Sequence, residues 1–241
     1  MKKVLVIAAH PDDEVLGCGG TIARFAAEGY EVCTLILGEG ITSRDASRDR
    51  NKREEKIRAL KVQTEDANKI LGVKKMHTFD FPDNRFDTVA LLDIIKVIEK
   101  VKKDVGPDLI FTHFHGDLNI DHQLTFKAVM TACRPTKGDS VKEIYSFEIP
   151  SSTEWNVPCP LTYFMPDYFV DVNKSLEMKI NALNEYETEL RDFPHPRSLK
   201  AVELNAKQWG VKMGFEAAEA FKTIRVRMQC GKATRLNDES D

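Results

Sequence analysis

The sequence predicts an α/β protein with a Rossmann-like, doubly wound fold, in which helices cover both faces of a mostly parallel sheet. Between Val4 and Cys133, short apolar runs alternate four times with longer segments whose apolar residues recur at helical spacing. This alternation is the pattern of parallel βα units. The short runs are apolar throughout rather than at every second residue, as in strands that are buried on both faces.

Four strands are predicted from these runs: Val4–Ala8, Val32–Leu37, Lys75–Phe79 and Leu109–Thr112. The helix after the first strand ends at Gly29, and the charged stretch after the second strand leads into a helix that ends at Gly72. Asp87 is predicted to cap the helix between the third and fourth strands, because its side chain can accept a hydrogen bond from the first helical turn.

The rest of the chain has a less regular pattern. It predicts a helix over Leu124–Cys133, a strand near Ile144–Phe147, an outer strand over Tyr168–Val172, a helix capped by Asn173, and a last helix over Ser198–Gly214 that Phe215–Phe221 extends or follows. No linker interrupts this pattern, so we expect one domain over residues 1–235 and a frayed tail over residues 236–241.

Composition and charge exclude several classes of protein. The 241 residues are 42% hydrophobic and carry a formal net charge of −3, so the chain is neither disordered nor a basic nucleic-acid binder. No apolar run approaches the ~20 residues that cross a bilayer, and we expect no membrane anchor. The five cysteines are odd in number and lack a CxxC spacing, which indicates reduced thiols in a cytoplasmic protein. The sequence leaves a homo-oligomer open.

Polar residues cluster where the predicted strands end. The segment His10-Pro11-Asp12-Asp13-Glu14 follows the first strand, and the segment from His113 to His122 follows the fourth. Four of the six histidines fall in these two segments. Because ligands of open parallel sheets bind at the carboxyl ends of the strands, we expect the fold to bring the two segments together.

Imidazole and carboxylate groups together form the ligand set of a catalytic zinc site, which keeps one position open for water. Fe(II) and Co(II) are accepted by the same donors. A neighbouring carboxylate that is not a ligand can serve as general base. An alternative interpretation is that Asp13 and Glu14 only complement the positive end of a helix, but it leaves His10 and the second histidine cluster unexplained.

These two segments resemble the motifs of a known family. Ala9-His10-Pro11-Asp12-Asp13-Glu14 matches the AHPDDE signature of the PIG-L/LmbE-like zinc-dependent N-deacetylases, and Asp117–His122 matches the Asp-x-x-x-Asp-His part of the family's second motif. The resemblance covers most of the chain and weakens beyond residue 150.

The resemblance implies a zinc enzyme that removes the N-acetyl group from an amino sugar or its conjugate. A glycan precursor or a sugar nucleotide is favoured, because no membrane anchor is expected. The resemblance also implies that His10, Asp13 and His122 bind the metal, and that Asp12 is the general base when a metal-bound water attacks the acetamide carbonyl. Asp121 is implied to orient polar groups around the metal.

Asn119 departs from the family pattern, which has histidine at this position of the second motif. An asparagine amide can donate a hydrogen bond to an oxyanion, but it cannot act as a general acid. Either Asp12 then carries out both proton transfers, or His113, His115 or His195 supplies the acid, and the sequence leaves this choice open.

Substrate contacts are predicted from the remaining polar loops. Arg53 and Arg85 are candidates for binding an anionic substrate group, and Asp83 lies with Arg85 in the loop after the third strand. Arg197 and His195 lie on a loop that two prolines stiffen, which suits substrate capture. An ordinary turn at the start of a helix, with His195 on the surface, is the alternative interpretation. A solvated helix face is the alternative interpretation of the charged stretch that includes Arg53.

Two rival functions follow from the residues alone. The same scaffold can bind a nucleotide or another ligand without catalysis, and a metal hydrolase can act on an amide that is not part of a sugar. Against nucleotide binding, Gly17, Gly19 and Gly20 lie within the first helical segment, whereas a dinucleotide-binding fingerprint places its glycines at the turn between strand and helix.

Overall fold

The computed structural model describes residues 1–228, which form one seven-stranded sheet with six α-helices packed on it. The strands are β1 (Lys3–Ala8), β2 (Glu31–Gly38), β3 (Lys75–Phe81), β4 (Leu109–His113), β5 (Glu143–Phe147), β6 (Tyr168–Asp171) and β7 (Ala218–Val226). Their order across the sheet is β3-β2-β1-β4-β5-β7-β6. Neighbouring strands from β3 to β5 are parallel, and β7 is antiparallel to both β5 and β6. The predicted α/β class with a mostly parallel sheet is confirmed.

The helices lie on both faces of the sheet, and they are α1 (Asp13–Ala27), α2 (Arg50–Ile70), α3 (Leu91–Val105), α4 (Ile120–Ala132), α5 (Leu176–Asn184) and α6 (Leu199–Met213). On one face, Val4 and Val6 of β1 join a core that α1, α2, α5 and α6 cover. On the other face, Leu5 and Ile7 join a core with α3 and α4. Successive side chains of β1 are therefore buried on opposite faces, which explains the continuous apolar run in the sequence.

The strand order reverses between β1 and β4, at the middle of the sheet. β1 pairs with β2 on one side and with β4 on the other, where Ile7 is opposite Thr112. The chain leaves β1 for a helix on one face and leaves β4 for a helix on the other face. The two loops therefore diverge and open a crevice, which is the usual ligand position in a doubly wound sheet.

Three of the predicted helix starts are wrong. The helix predicted over Leu124–Cys133 begins earlier, at Ile120 after Asn119, so that Asp121 and His122 lie in its first turn. The helix after β3 begins at Leu91 with Ala90 as its cap, because Phe86–Thr88 first forms a separate 3-10 turn that includes Asp87. The helix predicted to be capped by Asn173 begins later, at Leu176 after Ser175. The predicted strands agree closely with β1 to β6, and the predicted frayed tail lies outside the described residues.

Of the two alternatives for Phe215–Phe221, extension of α6 is wrong, and the segment follows α6. Gly214 ends α6 with a φ of 78°, and the chain from Ala218 enters β7. β7 lies between β5 and β6 and pairs with both of them. Its strand conformation therefore depends on partners that are distant in the sequence.

The cysteines of residues 1–228 are free thiols, of which Cys18, Cys33 and Cys133 are buried and Cys159 is exposed. They agree with the predicted reduced state, while the predicted cytoplasmic location stays a prediction. None of the helices in the described part of the chain combines the length and apolar character that crossing a membrane requires.

Candidate metal centre

The turn between β1 and α1 presents the first group of polar side chains. β1 ends at Ala8, and α1 begins at Asp13. The backbone N–H of His10 donates to Asp13 Oδ2 at 2.8 Å, which holds these two residues together. Between them, Asp12 has a φ of 96°, a left-handed conformation that is uncommon for a residue with a side chain.

The second group lies at the start of α4. Asn119 caps this helix, because its Oδ1 accepts a hydrogen bond from Asp121 N at 2.8 Å. Asp121 and His122 follow in the first turn of α4. Asp117 is fully buried and accepts a hydrogen bond from Asn119 N at 2.8 Å. Because β1 and β4 are neighbours in the sheet, the two groups meet across the crevice.

Nitrogen and oxygen donors from the two groups converge on one point. Asp13 Oδ2 lies 3.3 Å from His10 Nδ1 and 3.3 Å from His122 Nε2, and donor atoms of the three residues lie within 4.8 Å of one another. Asp13 Oδ1 and both ring nitrogens of His122 are among the buried polar atoms that have no hydrogen-bond partner in the described part of the chain. Leaving such atoms unpaired costs free energy unless another group satisfies them. Two imidazoles and one carboxylate fit a divalent transition metal with an open position.

Two further carboxylates contact the outer nitrogens of these histidines. Asp121 Oδ2 lies 2.9 Å from His10 Nε2, and Asp117 Oδ1 lies 3.1 Å from His122 Nδ1. A carboxylate in this position fixes the tautomer and orientation of a metal-binding imidazole. Asp121 lies where an orienting carboxylate is expected from the sequence. Asp117 has no predicted role, and its place in the same motif as His122 is the one signal that points to it.

The electrostatics of this cluster favour a cation. Burial opposes ionisation of Asp13, but His122, His113 and His10 together outweigh it and hold the pKa of Asp13 well below its usual value. Burial also opposes protonation of His122, yet Asp13 and Asp117 raise its pKa to about 9. At His10, burial lowers the pKa, but Asp121, Asp13 and Asp83 together outweigh it and raise the pKa well above its usual value. The carboxylates thus attract positive charge, which a divalent ion supplies.

The other two histidines of the second segment occupy different places. His113 is fully buried and its ring stacks on that of His122 at a centroid distance of 4.0 Å. Its Nε2 accepts a hydrogen bond from Ala9 N at 2.8 Å and lies 3.5 Å from Asp13 Oδ2. His113 therefore contacts two members of the cluster, His122 and Asp13. His115 is exposed and packs against Phe114, and it does not join the cluster.

A cavity of about 100 Å³ lies against the cluster, and it is lined by His10, Pro11, Asp12, Gly40, Ile41, Ser43, Arg44, Leu60, Asp83, Asn84, Asn119, Glu189 and Arg197. Arg197 Nη1 donates to Asp12 Oδ2 at 3.1 Å. Burial raises the pKa of Asp12 well above its usual value, although Arg197 acts in the opposite direction. A buried carboxylate with a raised pKa in a cleft is a candidate for proton transfer.

Asp83 and Asn119 also line the cavity. Asp83 is buried, its Oδ1 lies 3.5 Å from His10 Nε2, and its Oδ2 accepts a hydrogen bond from Ser43 N at 2.9 Å. Asn119 Nδ2 donates to Asn84 Oδ1 at 2.7 Å. Hydrogen-bonding side chains from several loops therefore line the cavity beside the metal cluster.

The sequence model of the PIG-L family, described as GlcNAc-PI de-N-acetylase, matches residues 5–133. This match covers more than half of the 241 residues and includes both segments that form the metal cluster. The chain belongs to the PIG-L family. The resemblance found in the two motifs is confirmed, and so is the enzyme class that it implies, an N-deacetylase.

Relatives of this PIG-L protein include named deacetylases and a hydratase. The uncharacterized deacetylase YaiS of Escherichia coli is 29% identical over 78% of this chain and 91% of the relative. The diacetylchitobiose deacetylase of Thermococcus kodakarensis is 30% identical over 78% of this chain and 70% of the relative. The 4-oxalmesaconate hydratase of Pseudomonas putida is 28% identical over 76% of this chain and 72% of the relative.

Solved structures share the fold of this PIG-L protein. N,N'-diacetylchitobiose deacetylase from Pyrococcus horikoshii has a TM-score of 0.73 and 22% identity, over 93% of this chain and 84% of that chain. GalB, the 4-carboxy-2-hydroxymuconate hydratase of Pseudomonas putida, has a TM-score of 0.74 and 22% identity, over 97% of this chain and 100% of that chain. At this level of identity the likeness shows the fold alone.

Two arginines that the sequence suggests as substrate contacts lie outside the cavity of the PIG-L protein. Arg53 forms an ion pair with Asp45 at 2.5 Å, and Arg85 lies beyond the cavity lining. Arg44, from the same charged stretch as Arg53, lines the cavity instead and pairs with Glu189 at 2.5 Å. The composition of the charged stretch suggests that an arginine binds the substrate, but it does not indicate which arginine lines the cavity. The conformation of the loop before α2 determines this.

His195 lies beside Arg197 rather than in the cavity. Its ring is 5.7 Å from that of Trp155, and its Nδ1 accepts a hydrogen bond from Arg197 N at 3.1 Å. The guanidinium of Arg197, and not the imidazole, is the group of this loop that reaches Asp12. A catalytic role of His195 stays a prediction.

Proposed function

We propose that this PIG-L protein is a metal-dependent hydrolase that removes the N-acetyl group from an amino sugar or its conjugate. The observation that carries the proposal is the donor cluster of His10, Asp13 and His122 beside the buried carboxylate of Asp12. The adjoining cavity, whose lining is mostly polar, lies where a substrate can reach this cluster.

In this proposal His10, Asp13 and His122 hold the ion, which is zinc, and Fe(II) and Co(II) suit the same donors. When bound, the ion polarises the acetamide carbonyl and lowers the pKa of its water. The carboxylates of Asp121 and Asp117 contact His10 Nε2 and His122 Nδ1. They therefore leave Nδ1 of His10 and Nε2 of His122 to face the ion.

Asp12 is the proposed general base. Burial raises its pKa toward the range in which a carboxyl group exchanges protons efficiently near neutral pH. Arg197, 3.1 Å from Asp12 Oδ2, favours the ionised form that accepts a proton. The proton that Asp12 removes from the attacking water passes to the nitrogen of the leaving amine, so that acetate and the free amino sugar are the products.

Asn119 is the proposed hydrogen-bond donor to the oxyanion that develops on the acetamide oxygen. Its Oδ1 is used in capping α4, whereas its Nδ2 donates to the exposed side chain of Asn84 on the cavity wall. A rotation of Asn84 frees Nδ2 for the substrate. Side-chain amides provide this kind of stabilisation in other hydrolases.

The cavity wall suits a substrate with many hydroxyl groups. Ser43, Arg44, Asp83, Asn84 and Glu189 all contribute to its lining. These groups offer both hydrogen-bond donors and acceptors, as the ring of an amino sugar does. We therefore propose an N-acetylated glycan precursor or a sugar nucleotide as the substrate.

The test is acetate release by the zinc-loaded protein from N-acetylglucosamine, N,N'-diacetylchitobiose and UDP-N-acetylglucosamine, with metal content measured by elemental analysis. The wild-type protein is expected to hold one ion per chain and to release acetate, and His122→Ala is expected to lose both properties. His115→Ala removes an exposed histidine of the same segment and is the matched control, which keeps both. Full metal content in His122→Ala would contradict the ligand assignment.

A hydratase is the second candidate function, because the Pseudomonas putida relative with that name is 28% identical over 76% of this chain. The zinc-loaded protein is therefore also incubated with 4-oxalmesaconate. Hydration of this compound without acetate release from any of the three N-acetyl sugars would favour the hydratase. Saturable binding without turnover in both assays would favour a ligand-binding protein that has no catalytic activity.

A further inference from the structure

The backbone of Asp12 has a conformation that needs support from its surroundings. Its φ of 96° and ψ of −29° lie outside the regions that residues with a side chain prefer. Such conformations persist only where neighbouring groups hold them, and they concentrate at functional sites. The carbonyl of Asp12 is held by the N–H groups of Val15 and Leu16 at 3.0 and 2.9 Å.

Glu14 holds the other side of Asp12. Its carboxylate is fully buried, and Oε2 accepts a hydrogen bond from Asp12 N at 3.2 Å. Glu14 is the second residue of α1, so its side chain reaches back to the residue before the helix. It satisfies a backbone N–H there, as the acidic residue of a capping box does.

Glu14 is itself fixed by side chains from two other helices. Tyr186 Oη, just after α5, donates to Glu14 Oε1 at 2.6 Å. Asn68 Nδ2, in α2, donates to the same oxygen at 2.9 Å. Asn68 Oδ1 in turn accepts a hydrogen bond from Thr34 Oγ1 of β2 at 2.8 Å. All four side chains are buried, so β2, α2 and α5 together fix one carboxylate.

We infer that Glu14 is the positioning residue for Asp12, and that its buried carboxylate holds the Asp12 backbone in the conformation that presents the Asp12 side chain to the cavity. A charge that only complemented the end of a helix would need neither burial nor specific donors. Glu14 has both, with donors on each of its oxygens. The inference rests on the proposed function, in which Asp12 is the general base.

The test is Glu14→Gln in two backgrounds. Three N–H and O–H groups point at Glu14, and a glutamine has only one acceptor oxygen for them, so Asp12 N loses its partner. In the wild-type background, kcat is expected to fall by ~10²-fold, the scale for a misplaced catalytic group, with unchanged KM and metal content. In the Asp12→Asn background, the same substitution is expected to change kcat less than ~3-fold, because the two residues act as a unit.

A second measurement tests the hydrogen bond of the Asp12 backbone independently of enzymatic activity. In the metal-free protein, NMR hydrogen exchange of the Asp12 amide is expected to be at least ~10-fold faster in Glu14→Gln, because that amide loses its buried acceptor. Exchange at Leu5 in β1 is expected to be unchanged, which shows that the sheet is intact. If Glu14→Gln does not fold, Tyr186→Phe removes one hydrogen bond from Glu14 and is expected to give smaller changes in the same direction.

Glu148→Gln is the matched control. Glu148 Oε1 accepts hydrogen bonds from Asn205 Nδ2 at 3.1 Å and from Trp209 Nε1 at 2.8 Å, and its amide variant is expected to keep kcat. Equal loss of rate in both backgrounds, loss of metal from Glu14→Gln, or wild-type exchange at the Asp12 amide would overturn the inference. Wild-type kcat in Asp12→Asn alone would instead overturn the proposed function, and the exchange measurement would still decide the role of Glu14.

Discussion

Asp12 and Asp13 are adjacent in the chain, yet their surroundings drive their ionisation in opposite directions. Burial raises the pKa of Asp12, and Arg197 offsets this only in part. Burial acts on Asp13 as well, but the combined attraction of His122, His113 and His10 outweighs it and lowers the pKa. Two carboxylates whose pKa values are separated in this way commonly divide the roles of proton transfer and fixed charge. This supports Asp12 as the base and Asp13 as a ligand.

The first prediction separates these two roles. Asp12→Asn keeps the size of the side chain and an oxygen for Arg197, but an amide cannot take up a proton. The variant is expected to retain its metal while kcat falls by ~10²–10⁴-fold, the usual contribution of general acid–base catalysis. Metal content and acetate release are measured on the same sample. Loss of the metal would instead make Asp12 a ligand and Asp13 the candidate base.

The second prediction concerns Asn119, whose two amide atoms do different work. Asn119→Ala removes the cap of α4 and the Nδ2 donor, so we expect unfolding free energy to fall by about 1 kcal/mol and kcat by ~10²–10³-fold. Asn119→Ser keeps a capping oxygen and is expected to recover the stability but not the rate. Denaturant unfolding and acetate release measure the two effects. Recovery of the rate in Asn119→Ser would show that capping, not donation to the oxyanion, is the role of Asn119.

The residues of the metal cluster could be predicted because they are local in the sequence. His10, Asp12 and Asp13 lie in or next to one turn, and His122 lies in the first turn of the helix that follows the neighbouring strand. Glu189 could not be predicted in the same way, because it follows α5 and reaches the cavity only through the packing of α5 on the rest of the fold. The position of its partner Arg44 in the cavity could not be predicted either, since nothing in the charged stretch distinguishes Arg44 from the other arginines.

At the scale of an element, helix α1 loses its regular helical conformation near its middle. Side chains from other elements form hydrogen bonds with the backbone groups on either side of this point. Cys18 has a φ of −152° and a ψ of 26°, which interrupts the helical hydrogen bonds. Lys179 Nζ donates to Leu16 O at 2.9 Å, and Glu219 accepts hydrogen bonds from the N–H groups of Gly20 and Thr21 at 2.9 and 2.7 Å. The side chains of α5 and β7 thus take the place of the missing helical partners.

The glycines of α1 have a packing role that the sequence does not reveal. A Cβ at Gly17 would lie 2.3 Å from the ring of Phe147, and a Cβ at Gly20 would lie 2.9 Å from Val172. The helix can therefore approach the sheet closely only without side chains at these positions. The sequence excludes a dinucleotide-binding turn here, but the partners that require glycine come from strands far along the chain.

The third prediction tests the buried ion pair of α5 and β7 that binds the irregular part of α1. Lys179 and Glu219 are each 4% exposed and their charged atoms lie 2.6 Å apart. Lys179→Met leaves Glu219 buried without its partner, and we expect unfolding free energy to fall by about 3–5 kcal/mol. Adding Glu219→Gln in the same chain is expected to recover part of this loss. Denaturant unfolding measures all the variants.

The control for the third prediction is an exposed pair in the same strand as Glu219. Lys222 and Asp167 lie 2.6 Å apart with their side chains 35% and 44% exposed. Lys222→Met is expected to cost less than about 1 kcal/mol, as exposed pairs do. Equal losses of stability in Lys179→Met and Lys222→Met would show that burial of the first pair is not what makes it important.

Over the whole molecule, the fold divides into a part that carries the metal cluster and a part that completes the cavity. The PIG-L family match ends at residue 133, after β1 to β4 and α1 to α4, and these elements hold every proposed ligand. Later residues contribute Arg197 and Glu189 to the cavity wall. The first part consists of local βα units, which explains why its strands were predictable, whereas β7 depends on pairing with β5 and β6. We expect substrate choice to depend mainly on the second part.

The last prediction concerns metal and the stability of the whole fold. The proposed ligands come from two loops that meet only when β1 and β4 are paired, so the ion binds the folded chain far better than the unfolded one. At 100 times its Kd, such a ligand adds about 2.7 kcal/mol to the unfolding free energy, which for a domain of this size raises Tm by roughly 5–10 °C. Thermal unfolding of the metal-free protein with and without zinc measures the shift, and a chelator is expected to reverse it. His10→Ala is expected to show no shift and His115→Ala the full one, so an equal shift in both variants would place the ion elsewhere.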